Sequence, residues 1–320
     1  MISARERKRQ HRRLAKDQHG LKLFFTRFFK ISLLLLTIIF LASLVFVIYL
    51  KNGIKTASFN QNILFASNNL ASQQDKIYLA IVRGSNDKMT IFAFPGDLDV
   101  DLIGDYGSYP LRSVLPLLQI EKKDHQLIKS VFSFGLVILI DQVWSSDQSF
   151  EIKDKASLQN LVKKSIYSAE IDTGLSRFDR LKLFALIDRL RADQIDFKNV
   201  TNQQAWFDYL GNRLAQVQEP DCTLAVINAT GKARLATKIS TILENNGSSV
   251  IRTDDVSEKK EKSQILLNPE SAVKCQQTVA SILQLFPFKV EIAKSKISVE
   301  QYRSDLVIYA GDDFKQLWSN

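Results

Sequence analysis

From residue 31 to residue 50 the chain reads ISLLLLTIIFLASLVFVIYL, twenty residues without a charge. A helix needs about 20 such residues to cross a hydrocarbon core of about 30 Å, so one span is expected here. A cleaved signal peptide would carry a shorter apolar run and a small-x-small cleavage site. This run ends in Val-Ile-Tyr-Leu, which fits an uncleaved signal anchor. Residues 131–140 are too few to cross and predict a buried strand or a helix end. Residues 51–74, rich in Asn, Ser and Gln, predict a spacer.

Past the spacer two periods alternate. The β-rich runs 77–82 and 90–94 are separated by Arg83-Gly-Ser-Asn-Asp-Lys88, a turn composition, and predict a hairpin. Leu127, Ile128 and Val131 give a short helical stripe, and 136–143 predicts a buried strand. Residues 157–168 and 178–191 predict helices, the second with Leu181, Phe184, Leu186 and Leu190 on one broad face. Over 196–220 the pattern weakens into a linker with some helix, and Gln218-Glu219-Pro220 marks a boundary. Strands at 222–228, 249–252, 265–267 and 305–310 follow. Among them lie a helix with Leu235, Ile239, Ile242 and Leu243, stopped at Asn245-Asn246-Gly247, and another opened by Pro269-Glu270-Ser271 with Val273, Val279, Ile282 and Leu283. The expected fold class is α/β: a single N-terminal transmembrane helix, a mixed α/β domain over 75–195 and a small α/β domain over 221–318.

Charge gives this arrangement a direction. The net charge is +9, from 43 Lys/Arg against 34 Asp/Glu, and residues 1–30 hold ten of the basic residues with only Glu6 and Asp17 against them. That tail carries +8 and everything after it +1. The positive-inside rule keeps residues 1–30 cytoplasmic and turns 51–320 outward. The expected location is therefore the cell membrane, with lipid as the partner of the span and tail. A nucleic-acid partner is not expected, because the basic segment is short and holds no helix-turn-helix.

Few residues offer chemistry. Two of the three histidines, His11 and His19, lie in the tail, so a zinc cluster or a Ser-His-Asp triad in the folded part would rest on His125 alone. The only cysteines, Cys222 and Cys275, fall on core-facing positions on the oxidising side, which leaves a disulfide or two buried free thiols. Asn228-Ala-Thr-Gly-Lys232 has one glycine where a phosphate loop needs two or three, and predicts a turn in which Thr230 caps the next helix. Ser176 with Asp179 resembles a capping box, so a helix is expected to start near Arg177. Arg177 and Arg180 in its first turns oppose the helix dipole by about 0.3–1 kcal/mol each. A bound anion would reverse that penalty; otherwise the two pair with carboxylates such as Asp172 or Asp179.

The stretch Leu224-Ala-Val-Ile-Asn-Ala-Thr-Gly231, the helix end Asn245-Asn246-Gly247, Leu266-Leu-Asn-Pro-Glu270 and Asp305-Leu-Val-Ile-Tyr-Ala-Gly-Asp-Asp-Phe314 together resemble the LytR C-terminal domain, over 221–316. The preceding region resembles the LytR-CpsA-Psr domain that this module often follows. Asp75-Lys-Ile-Tyr-Leu is similar to its opening Asp-Thr-x-x-Leu strand, Ala93-Phe-Pro-Gly-Asp97 to Ser-Ile-Pro-Arg-Asp, and Asp172-Thr-Gly-Leu-Ser-Arg-Phe-Asp-Arg180 to Asp-x-Gly-Arg-x-x-Arg-Gln. The resemblance implies glycopolymer transfer from a polyprenyl-pyrophosphate carrier to the cell wall. Arginines would grip the pyrophosphate (here Arg177 and Arg180) and carboxylates would hold Mg²⁺ (here Asp75 and Asp97). This chain departs from that pattern: Gly96 stands at the signature arginine, Leu181 at the glutamine, and no Arg-x-Arg pair occurs in 165–175. The departures favour an envelope protein that binds or scaffolds glycopolymer with no cofactor. The alternative is an active Mg²⁺-dependent transferase.

Overall fold

The computed structural model describes residues 29, 32–44, 60–67, 76–83, 87–103, 107–168, 171–214, 222–296 and 301–317, in two compact units, 1–57 and 58–320. In the first unit residues 32–44 are helical (α1). Thr37 and Ser43 turn their hydroxyls back onto the Leu33, Leu34 and Phe40 carbonyls, and Leu33, Leu36, Ile39 and Phe40 are all more than half exposed. Among the described residues no helix is long and apolar enough to cross a membrane. The rest of the expected 31–50 span lies outside them.

The second unit begins with the expected hairpin. β2 (Lys76–Arg83) pairs antiparallel with β3 (Lys88–Pro95), with Arg83 opposite Lys88. The stretch expected to be a spacer is corrected: it supplies β1 (Asn60–Ser67), which pairs with β2 on one side and, in parallel, with β6 (Gln142–Ser146) on the other. β7 (Ile171–Asp172) and β8 (Ile195–Asn199) close a six-stranded sheet of order β7-β6-β1-β2-β3-β8. A short pair, β4 (Asp99–Asp101) with β5 (Ser108–Pro110), follows β3. Strand periodicity sends alternate side chains to opposite faces. Ile63, Phe65, Tyr78 and Ile91 face α4 (Lys155–Tyr167) and α5 (Arg177–Arg189), whose Leu158, Val162, Leu183 and Ile187 complete one buried layer. Leu64, Leu79, Phe92 and Phe94 face the opposite layer, with α2 (Leu111–Ile120), α3 (His125–Leu136) and α6 (Gln203–Leu214).

Two further expectations fail here. The strand expected over 136–143 begins only at Gln142, as β6; 136–141 is the end of α3 and a connection, because Asp124 caps α3 and the helix runs to Leu136 before Val137 turns left-handed at φ 54°. The linker expected over 196–220 carries β8 and α6. Trp206 of α6 is 2% exposed, packs edge-on to Phe92 and Phe94, and donates its indole N–H to Leu136 O at 2.7 Å.

The C-terminal sheet has order β10-β9-β13-β11-β12, from β9 (Thr223–Asn228), β10 (Ser249–Asp255), β11 (Gln264–Leu267), β12 (Glu291–Lys294) and β13 (Leu306–Ala310). β10, β9 and β13 run parallel, and α7 (Leu235–Asn245) makes the β9 to β10 crossover. Gly247, at φ 90°, ends α7 as expected, its N–H on Glu244 O. Thr230 does not cap α7. Its hydroxyl accepts from Lys232 N–H and donates to Asn228 Oδ1, while Arg234 is the residue before the helix. The helix expected from Pro269 is only a 3₁₀ turn there. α8 proper is Gln276–Leu285, and Val273 is 88% exposed.

The two α/β domains share one core. A continuous buried cluster runs from Phe92 and Phe94 through Phe132 and Phe134 of α3 to Leu224, Ile242, Ile282, Phe286 and Phe314. Phe134 meets Phe314 edge to face at 6.2 Å. Polar groups follow the same path. Gln126 Nε2 donates to Gln284 O (2.6 Å) and Ser130 Oγ to Leu285 O (2.8 Å), so α3 satisfies the carbonyls that α8 leaves open at its end.

Candidate functional site

Helix α5 starts where the capping signal places it. Ser176 Oγ accepts Asp179 N–H at 3.1 Å and donates to Asp179 Oδ2 at 2.7 Å, leaving Arg177 exposed as the first helical residue. Arg180 lies one turn along, half-buried, and does not face solvent as a free fork. Its Nη1 donates to the Ser165 carbonyl near the end of α4, and its Nε is buried without a hydrogen-bond partner. The carboxylate pairing expected for Arg180 is therefore replaced by a backbone carbonyl. Among the described residues no ion pair holds Arg177. Asp179 is engaged by Lys182 at 3.3 Å, and Asp172 Oδ1 accepts Gly174 N–H.

The carboxylates expected to hold a metal do not assemble. Asp75 lies outside the described residues. Asp97 is exposed in the turn after β3, while Gly96 beside it is buried, its carbonyl accepting Arg112 N–H at 2.9 Å. Among the described residues the one grouping of metal-type donors is Cys222, Cys275 and Asp305, and its two sulfurs are joined in a disulfide. That bond decides between the two alternatives left open for the cysteines. It ties the residue before β9 to the residue before α8. Beside it Asp305 accepts from Thr223 N–H (2.9 Å), Thr223 Oγ (2.8 Å) and Ser271 Oγ (2.6 Å), with Lys274 at 2.9 Å. Partial burial pushes its carboxyl up, but the donors outweigh that and hold it well below the usual carboxylate range. This cluster is a structural staple.

One cavity of about 220 Å³ opens on the α4/α5 face of the first sheet, where β2 begins and β3 and β8 end. Tyr78, Ile91, Ala93, Ile152 and Phe197 give it apolar walls, and Lys76, Lys153, Lys198, Glu151 and Asn199 supply polar groups. Phe197 is 37% exposed. Lys153 and Glu151 pair at 2.8 Å with both side chains largely in solvent. Burial pushes the Tyr78 phenol up, against the Ile152 N–H that it accepts. An apolar-walled recess edged by lysines suits a ligand with a ring or chain and a negative charge. Sequence reasoning missed it. Lys76 and Tyr78 share a face by strand parity, but the opposite wall comes from β8, in a stretch that predicts a linker.

Residues 221–314 match the family described as the LytR cell envelope-related transcriptional attenuator. The match lies over the stretch that resembles a LytR C-terminal domain in the sequence. No curated protein matches the chain. Among solved structures, TagV of Bacillus subtilis is similar at 13% identity and a TM-score of 0.33, covering 46% of this chain and 86% of its own. TagT of B. subtilis is similar at 14% and 0.35, covering 48% and 89%. TagT bound to LIIa-WTA is similar at 12% and 0.35, with the same coverage. The matched stretch holds the second sheet and the staple. The cavity and Arg177 lie outside it.

Proposed function

We propose that this protein is a single-pass envelope protein, cytoplasmic at its N-terminus, whose outward part binds anionic glycopolymer at the cell wall without turning it over. The family match over 221–314 supports the envelope setting. The uncharged run 31–50, the +8 tail and the exposed apolar side chains of α1 support the anchor. The observation that carries the non-catalytic reading is Arg180: its guanidinium donates to the Ser165 carbonyl, so the second of the two forks that would grip a pyrophosphate is committed to the fold. Pyrophosphate transfer needs several converging cations and a metal held by carboxylates, because the leaving group's charge must be neutralised. Arg177 alone supplies neither. The lysine-edged cavity offers binding without a reacting group.

The full chain in detergent micelles, given a polyprenyl-pyrophosphate-linked glycan with Mg²⁺, is expected to bind it and release no phosphate. Lys76→Ala with Lys153→Ala should weaken binding about tenfold. Mg²⁺-dependent phosphate release that Arg177→Ala abolishes would establish the transferase instead.

A further inference from the structure

The two α/β domains also meet over a polar seam that the proposed function does not use. At its centre Asn62 of β1, 2% exposed, donates its amide to Leu139 O at 2.7 Å in the first domain. The same amide donates to Asn246 Oδ1 at 3.1 Å, at the end of α7 in the second. Asn245, also buried, reaches back across the seam and donates its amide to Val137 O at 2.6 Å. Asn62 has little freedom of its own: its oxygen accepts from Arg83 Nη1 at 3.3 Å, and its N–H donates to Asp141 Oδ2 at 2.6 Å. The Asn246 side chain is thus gripped by a fixed residue of the other domain.

The residue after Asn246 is Gly247. An asparagine followed by glycine readily loses its amide nitrogen, because glycine has no side chain to keep its backbone nitrogen away from the asparagine side-chain carbon. The Gly247 nitrogen gives its proton to solvent and bonds to Asn246 Cγ, closing a succinimide ring, and the side-chain nitrogen leaves as ammonia. Water then opens the ring at either carbonyl, leaving aspartate or isoaspartate. Water is the only other reactant.

Two freedoms are needed, and the docked protein withholds both. The Asn246 side chain must swing toward Gly247, but Asn62 holds its Oδ1. The Gly247 nitrogen must be unbonded, but it donates to Glu244 O at 2.8 Å in the stop of α7. We propose that Asn246 is a deamidation site that the docking of the two domains keeps closed, so that its conversion is a covalent record of the domains parting. The isoaspartate product routes the main chain through the former side chain and adds one methylene before Gly247. That addition draws the Gly247 and Ser248 N–H groups away from the Glu244 and Leu243 carbonyls, so the stop of α7 does not re-form.

The test holds the full chain in detergent micelles at pH 8 and 37 °C and follows residue 246 by peptide mass mapping. Wild type should convert at least about a hundredfold more slowly than a synthetic peptide of residues 240–252. Asn62→Ala and Asn245→Ala, which cut the seam from either side, should each speed conversion about tenfold. Thr241→Ala, which removes a hydroxyl bonded to Thr237 O within α7, should leave the rate unchanged. In the converted fraction, separated by ion exchange, hydrogen-exchange protection of the Ser248 amide should fall about tenfold. Wild-type conversion at the peptide's rate, wild-type rates in both seam variants, or unchanged Ser248 protection after conversion overturns the proposal. If Asn62→Ala fails to fold, Asn245→Ala and the peptide comparison decide by the same criteria.

Discussion

The two sheets of the second unit treat their polar groups differently. In the C-terminal domain two acidic side chains, Asp305 and Asp313, are each held by several donors. Asp305 takes Thr223, Ser271 and Lys274, and Asp313, 8% exposed, takes both the N–H and the hydroxyl of Ser263, which in turn accepts Gly311 N–H at 2.9 Å. Together with the disulfide these contacts make that domain a fixed body. In the first domain the ionisable groups that drew attention in the sequence are thinly held: Arg177 stands in solvent, and Arg180 and His125 each keep a buried nitrogen without a hydrogen-bond partner. Saturated networks resist change, and thinly held groups at a surface can be replaced at little cost to the fold. Stability and function therefore separate by domain, with the shared aromatic core as the exception.

Phe134→Ala should strike hardest. Its ring lies between the two domains, so its loss should cost about 3–5 kcal/mol and lower the unfolding of both sheets together. Two separate transitions in calorimetry would break the idea of a shared core. Cys222→Ser should cost about 2–4 kcal/mol, since the bond closes a loop with a sequence separation of 53. A denaturation midpoint unmoved by the substitution or by reductant would show that the staple carries no load. Asp305→Asn should remove an acid-sensitive contribution. Because the folded carboxyl lies below its ordinary range, that stability is present above the ordinary carboxylate pKa and is lost as pH falls through the lower folded value. Between pH 7 and pH 2 the difference in stability between wild type and variant should be constant above the ordinary carboxylate range and then narrow steadily toward pH 2. The smallest contrast is between the arginines: Arg180→Ala should cost about 1–2 kcal/mol through the Ser165 carbonyl, and Arg177→Ala less than about 0.5 kcal/mol. Equal effects would erase the distinction drawn between them.

Much of the C-terminal domain was legible because its strands are continuous apolar runs and its helix stops at Asn246-Gly247, both strong local signals. The first hairpin was readable for the same reason. β1 was not. Its polar opening Asn60-Gln-Asn reads as spacer, and Asn62 is buried only because it finds partners in Leu139, Asp141 and Asn246, far away in sequence. β8 was hidden although Ile195-Asp-Phe-Lys alternates, because two apolar positions are too short a run to stand out and this edge strand is held by its pairing with β3. At the candidate site the start of α5 was readable from Ser176 and Asp179. Where the Arg180 guanidinium ends up depends on where α4 stops, which no local pattern fixes. The lysine-edged cavity needs three strands and the 151–153 segment to meet, and so belongs to the tertiary fold alone.

The most direct test of the account puts binding and turnover in one reaction: the full chain, a polyprenyl-pyrophosphate-linked anionic glycan and Mg²⁺, with bound glycan and released phosphate followed together. The account predicts saturable binding that depends on Lys76 and Lys153, with phosphate release at the protein-free rate. Phosphate release that rises with protein, needs Mg²⁺ and disappears in Arg177→Ala would contradict it.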